Sequence, residues 1–222
     1  MGKCKIGLLI IATNKYKQFI EQLLKSTDEY FFVGHKLNIY LFIDDTSYKF
    51  PIPPRMNVQL FQIEPLTFPY ATLYRFHIFS QVKKYIDCDY IFYSDIDMRF
   101  VDFVNEEILP IDLPDENKIV AVRHCGFYAK GGGSWETRKE STAYVSPEKR
   151  KFYYAGGFQG GHKDAYLSAC EVMKKDIETD SANGIIAQWH DESHFNQYLS
   201  ERLGDFKELT PDYCMVQEIE KR

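Results

Sequence analysis
The hydrophobic pattern opens with an unbroken apolar run, Ile6–Ala12, rather than an alternation. A run of that length predicts a strand covered on both faces. Asn14 then opens a helical pattern to about residue 27, with Phe19, Ile20, Leu23 and Leu24 on one side. Residues 36–43 predict a second strand, closing on Asp44-Asp45. Residues 51–54 form a proline-rich break, and 58–63 a third strand. Over 70–86, Leu73, Phe76, Phe79, Val82 and Ile86 recur at helical spacing. Residues 89–94 and 118–123 predict short strands, 164–175 and 192–202 helices, and Gly131-Gly132-Gly133 a mobile loop. Strands alternating with helices give an α/β architecture with a mostly parallel sheet, in which ligands gather at the carboxyl ends of strands.

Three segments carry the chemistry. Asp95-Ile96-Asp97 follows directly on the fourth predicted strand. Two carboxylates so placed suit one divalent cation, Mg²⁺ or Mn²⁺, whose shell a nucleotide diphosphate would complete; two solvated turn aspartates are the plainer alternative. An aspartyl phosphotransferase fits less well, because Arg99 stands where that pattern requires Thr or Val. Trp189-His190-Asp191-Glu192-Ser193-His194 places two acids beside an aromatic ring. The order departs from the HExxH zinc motif. It suits a sugar stacked on Trp189 with its hydroxyls held by Asp191 and Glu192, or simply a helix start capped by Asp191. Residues 152–161 hold four glycines, which permit close approach of a ligand or mark a bulged strand and tight turn.

Composition narrows the classes. The chain has 222 residues with a formal net charge of -5, which argues against a general nucleic-acid binder. No stretch approaches the roughly 20 apolar residues of a membrane span. The five cysteines are scattered without a CxxC, fitting a reducing compartment and giving no zinc signature. Glycine-rich phosphate loops are absent.

The segments Tyr30-Phe31-Phe32-Val33-Gly34-His35, Ser94-Asp95-Ile96-Asp97-Met98-Arg99-Phe100, His124-Cys125-Gly126-Phe127-Tyr128, Ser141-Thr142-Ala143-Tyr144, 152–161 and Asn183-Gly184 with 189–194 run in one order along nearly the whole chain. Together they resemble glycosyltransferase family 6, the family of the histo-blood-group A and B transferases, the α1,3-galactosyltransferase and the Forssman synthase. The resemblance implies a GT-A fold with a Rossmann-like nucleotide-sugar-binding sheet. It implies one domain over 1–222, its donor part about 1–100 and its acceptor and catalytic part about 101–213. It also implies retaining transfer of GalNAc or Gal from a UDP-sugar to the 3-hydroxyl of a β-galactoside acceptor glycan.

Carried over by position, Ile11, Ala12, Thr13 and Tyr16 hold uracil and ribose. Arg75, with Ala71 nearby, lies over the donor. Asp95 and Asp97, around Ile96, bind Mn²⁺ (or Mg²⁺). His124, Ser134 and Trp189 line the acceptor site. Ala155, Gly156 and Gly157 face the donor sugar, Asp191 holds its hydroxyls, and Glu192 sits beneath the anomeric carbon, also contacting the acceptor. Glu192 is then either a nucleophile or a charge stabilising the oxocarbenium ion. The small Ala155 and Gly157 favour UDP-GalNAc over UDP-Gal.

Mammalian members of the family begin with a cytoplasmic tail, membrane anchor and stem. This chain begins at the first catalytic strand, so the expectation is a microbial or viral form in the cytoplasm without an anchor. Members also usually continue past the segment matching Leu209-Thr210-Pro211-Asp212-Tyr213 into a basic tail that closes over the diphosphate. Only residues 214–222 follow here, and Lys221 and Arg222 are not assigned that role. Weaker closure would let donor hydrolysis compete with transfer. The rival readings are another metal-dependent nucleotide-sugar enzyme, such as a nucleotidyltransferase, and a non-catalytic carbohydrate-binding module. The first should carry a Gly- and Lys-rich loop after the first strand, the second nearly all strand.

Overall fold
The computed structural model describes residues 4–216. Met1, Gly2, Lys221 and Arg222 lie outside the described residues. Seven strands, β1 (Ile6–Ala12), β2 (Leu37–Ile43), β3 (Met56–Gln62), β4 (Tyr90–Ser94), β5 (Ile119–Arg123), β6 (Tyr154–His162) and β7 (Lys207–Leu209), form one sheet. Their spatial order is β3-β2-β1-β4-β6-β5-β7. β3, β2, β1 and β4 run parallel, β6 is antiparallel to β4 and β5, and β7 pairs parallel with β5. The sheet is mostly parallel, as expected, and is mixed only where β6 enters between β4 and β5 in the reverse direction.

Side chains of β1 alternate between two cores. Ile6, Leu8 and Ile10 join α1 (Ile20–Tyr30) and the aromatic pair Phe31 and Phe32 on one face. Leu9 joins the opposite core, built from α3 (Arg75–Gln81), α5 (Lys163–Ala182) and α6 (His190–Ser200). Burial on both faces explains the continuous hydrophobicity of β1. Two further short helices, α2 (Tyr70–Leu73) and α4 (Cys125–Tyr128), lie next to the strand ends.

Three elements differ from the sequence expectation. The helix predicted from Asn14 begins as a 3-10 turn, Asn14–Phe19, and becomes α-helical only at Ile20. A tertiary contact overrides the local pattern. The Asn14 N–H donates to Asp44 Oδ2 at 2.9 Å, and Lys17 Nζ to Asp44 Oδ1 at 2.5 Å, with Asn14 at φ 53°. The helix predicted over 70–86 breaks at Tyr74 into α2 and α3, which starts α3 on the buried Arg75. Finally, the glycine segment is a nine-residue interior strand, β6. Its register against β5 slips between Ala121, opposite Gln159, and Val122, opposite Ala155, so residues 156–158 bulge. The bulged-strand alternative read from the glycines is thus the one observed, although low strand propensity gives no sign of its length or its interior place in the sheet.

Gly160 shows why glycine is required there. A Cβ on it would lie 2.7 Å from the Phe92 Cα and would also strike the Ile91 carbonyl of β4. Backbone cannot yield as a side-chain tip can. Gly160→Ala is expected to cost about 3 kcal/mol or more, checked by thermal or urea unfolding. An unchanged midpoint would contradict this strand pairing.

Candidate active site
Chain order reverses between β1 and β4: β2 and β3 extend the sheet on one side of β1, and β4 lies on the other. Strand carboxyl ends splay apart at such a switch point and leave a crevice. A cleft of about 490 Å³ opens there. Ile11, Thr13 and Tyr16 line it from the end of β1, Ala71 and Arg75 from α2 and α3, and Asp95, Ile96 and Asp97 from the turn after β4. Asp44 fastens the Asn14–Lys17 rim. Ala12 is fully buried in the core and presents no side chain to the cleft.

Arg75 joins the parts of the site. Its side chain is 4% exposed. Nη1 donates to the Gly156 carbonyl at 2.6 Å, which also accepts from Gln159 Nε2 at 3.0 Å. Nη2 donates to Asp95 Oδ1 at 3.2 Å, and Nε lies 2.9 Å from Asp191 Oδ2. The Tyr93 ring supports the guanidinium, 4.2 Å away, while the Tyr93 hydroxyl donates to Asp95 Oδ1. Burial alone would pull the Arg75 pKa down; the charges of Asp191, then Tyr93 and Asp95, more than reverse it. Burial pushes the Asp191 carboxyl up to about 7 against the pull of Arg75, helped by Asp95 and Glu192. The Arg75–Asp191 pair is a charge contact without hydrogen-bond alignment, so Asp191 Oδ2 is buried without a hydrogen-bond donor. Such an acceptor is suited to a ligand hydroxyl.

Glu192 stands beside it in the first turn of α6, where the helix terminus favours negative charge. Trp189, not Asp191, occupies the N-cap position, and its N–H donates to Ser193 Oγ at 2.9 Å. Glu192 Oε1 accepts from the Tyr153 hydroxyl and Oε2 from the Gly156 N–H, both at 2.8 Å. Burial nevertheless raises the Glu192 pKa. Around Tyr153 pack Trp135 at 5.0 Å, Phe127 at 5.3 Å and His124 at 5.7 Å between ring centroids. His124 Nδ1 accepts the Gly126 N–H at 3.0 Å, which leaves the proton of a neutral ring on Nε2. Ser134 sits between Trp135 and Gly133, whose Cα backs onto the Tyr153 ring. Trp189 is exposed.

The bulge of β6 brings the glycines to the acids. A Cβ on Gly156 would lie 3.3 Å from Glu192 Cβ and 3.6 Å from Asp191 Oδ2. On Gly157 it would instead meet Asp95 Oδ2 at 3.0 Å, with Cys214 and Met98 beyond. Gly156 therefore borders the Asp191–Glu192 wall and Gly157 the Asp95 side. Ala155 is buried between them and Tyr154.

Asp95 and Asp97 offer hard oxygen donors at the cleft mouth. Burial and then the neighbouring Asp95 raise the Asp97 pKa, the electrostatic mark of a place that welcomes positive charge. Among the described residues no three His, Cys, Asp or Glu side chains meet as a ready-made cation site. The pair thus fits a cation such as Mg²⁺ or Mn²⁺ that takes its remaining oxygens from a ligand and water. His190 and His194 do not converge: His190 approaches Thr72 Oγ1 at 3.3 Å, whereas His194 is buried 3.8 Å from Asp180.

A family model described as Glycosyltransferase family 6 matches residues 1–222. The chain belongs to glycosyltransferase family 6. It is 32% identical over 222 residues to Histo-blood group ABO system transferase 1 of Rattus norvegicus, covering 96% of this chain and 62% of that protein. It is 29% identical over 216 residues to human Globoside alpha-1,3-N-acetylgalactosaminyltransferase 1, covering 94% and 60%. To O-antigen biosynthesis glycosyltransferase WbnI of Escherichia coli it is 26% identical over 196 residues, covering 87% and 81%. The chain thus spans about three fifths of the length of these animal relatives. The mixed seven-stranded α/β sheet of this family 6 member agrees with a GT-A-like fold. Among the described residues no helix is long and apolar enough to cross a membrane.

Sequence reasoning missed Tyr93, Tyr153, Trp135 and Asp44 as parts of this site. Tyr93 had a signal: two positions before Asp95 at a strand end, it shares that residue's face. Tyr153 and Trp135 carry no such signal.

Proposed function
We propose that this glycosyltransferase moves GalNAc, with retention, from UDP-GalNAc to the 3-hydroxyl of a β-galactoside. The observation that carries the reading is the buried guanidinium of Arg75, which lines the cleft and ties Asp95 at its mouth to Asp191 and Gly156 behind it. In this reading the nucleotide lies in the cleft and the sugar reaches past Arg75 to Asp191 and Glu192. Residues 1–100 then furnish the nucleotide half and 101–213 the sugar and acceptor half. The five unpaired cysteines support a reducing compartment, which makes the cytoplasm the proposed location.

In this reading the exposed Tyr16 ring and the Ile11–Thr13 edge take uracil and ribose. Asp95 and Asp97 would hold a divalent cation, Mn²⁺ in preference, and such a cation would supply charge neutralisation for the leaving diphosphate. Arg75 adds a fixed positive charge in a site with little water, where it acts most strongly. Asp191 Oδ2 accepts a donor hydroxyl. Glu192, its oxygens anchored by Tyr153 and Gly156, holds negative charge under the sugar as positive charge develops on it. Trp189 offers its face to the acceptor ring, and His124 Nε2–H donates to an acceptor hydroxyl. The departing phosphate oxygen takes the proton of the attacking hydroxyl.

The test is UDP release. Release from UDP-GalNAc is expected with Mn²⁺, increased by a β-galactoside and stopped by a chelator. UDP-Gal is expected to give about tenfold lower kcat/KM, within the 1–3 kcal/mol that a pocket fitted to one extra group discriminates. Equal or better use of UDP-Gal would refute the donor preference. Release that ignores the chelator would remove the cation from the reading.

A further inference from the structure
Three heteroatoms crowd the open side of Gly157. The position a Cβ would take there lies 3.0 Å from Asp95 Oδ2, 3.1 Å from Cys214 Sγ and 3.3 Å from Met98 Sδ. They come from three fixed places. Asp95 is tied to β6, its N–H donating to the Gly157 carbonyl at 2.9 Å. Met98 lies one turn on, its N–H reaching the Asp95 carbonyl at 3.2 Å. Cys214 follows the 3-10 turn Pro211–Tyr213, its N–H bonded to the Pro211 carbonyl at 2.8 Å. All three residues are partly exposed. Cys214 is unpaired.

A carboxylate, a thiol and a thioether facing one space form a donor set of a different character from the Asp95–Asp97 pair. Thiolate and thioether sulfur select soft and borderline cations, whereas carboxylates alone suit Mg²⁺ and Mn²⁺. We propose that Cys214, Met98 and Asp95 form a site for a thiophilic cation such as Cd²⁺ or Zn²⁺, which takes Asp95 away from the hard cation and so inhibits the enzyme. The ion would sit outward of the Cβ position, since that point is one bond from the Gly157 Cα. Binding breaks the Cys214 S–H bond, forms an S–metal bond and releases one proton to the buffer. Water or a ligand oxygen completes the shell. The site shares Asp95 with the proposed function and rests on that reading only for its inhibitory consequence.

Cadmium titration of the full chain, followed by the ultraviolet sulfur-to-cadmium charge-transfer band, tests it. One equivalent is expected to develop the band. Cys214→Ser should abolish the band and weaken Cd²⁺ binding at least about tenfold, and Met98→Leu should weaken binding about threefold with the band retained. Cys4→Ser should change neither. No band in the wild-type protein, or a band that survives Cys214→Ser, would overturn the site, whichever variants fold. Mn²⁺ binding is followed in parallel by electron paramagnetic resonance. Displacement of Mn²⁺ by one equivalent of Cd²⁺ supports the inhibitory link, and co-binding of both ions overturns it. If Mn²⁺ fails to bind while the cadmium band appears, the cation in the proposed function falls and the sulfur site stands.

Discussion

Arg75→Met is expected to reduce UDP release from the sugar donor by at least about a thousandfold while lowering the unfolding free energy by about 3–5 kcal/mol. Both effects have one origin. Methionine fills similar volume but leaves the Gly156 carbonyl with Gln159 alone and strands the buried Asp191 carboxyl without a counter-charge. A buried carboxylate so abandoned takes up a proton rather than remain ionised, which limits the stability loss and removes the acceptor charge from the site. The Asp95 contact contributes little to the loss, since that side chain is 37% exposed and solvent screens it. Arg75→Lys separates the two effects. A lysine keeps the charge and should restore much of the stability, yet one ammonium cannot reach Gly156, Asp95 and Asp191 in their fixed fork. Urea unfolding and UDP release on the same preparations check this. Near-normal release by Arg75→Met would sink the role assigned to the guanidinium.

The legibility of this molecule follows what each residue's job depends on. β1, β2 and β4 were readable to within a residue or so at each end, because continuous burial leaves an uninterrupted apolar run. Asp95 and Asp97 were readable for a related reason: charge directly after such a run stands at a strand end. β6 was not readable as an interior strand, since its interior positions are glycines chosen for closeness to β4 and not for propensity. The break at Tyr74 was hidden because apolar spacing continues across it, and only tertiary contacts of Arg75 exploit it. The pairing of Arg75 with Asp191, 116 positions apart in sequence by their numbers, leaves no local trace. Family resemblance, and not periodicity, put those residues in one site. The open side of Gly157 faces Asp95 and Cys214 while that of Gly156 faces the Asp191–Glu192 wall, a division between adjacent glycines that their positions in sequence do not show.

Glu192→Gln is expected to lower transfer by about a hundred- to ten-thousandfold, the range for a positioned acid or base. The amide keeps the shape but loses the charge, and the fold also objects. Tyr153 and Gly156 both donate to the carboxylate, whereas a glutamine offers one acceptor oxygen and turns an NH₂ toward the other donor. That mismatch costs about 1–3 kcal/mol, so rates must be measured well below the unfolding midpoint. Because both oxygens already accept hydrogen bonds, stabilisation of the sugar's charge is the role expected of Glu192, and mass spectrometry of the working enzyme should find no sugar bonded to it. A covalent adduct at Glu192 would make it the nucleophile instead. pH gives the independent check. Burial first raises both the Asp191 and the Glu192 carboxyls, Asp191 to about 7, so the folded chain binds protons that the unfolded chain has released. Their contribution to unfolding free energy therefore falls as pH climbs from about 4 toward 7, by the linkage between proton uptake and stability. Transfer needs the same groups ionised, so the rate should rise through that window, about tenfold per unit for each group still protonated. Stability and rate thus run in opposite directions, and a rate that fell as pH rose from 5 to 7 would remove these carboxylates from the chemistry.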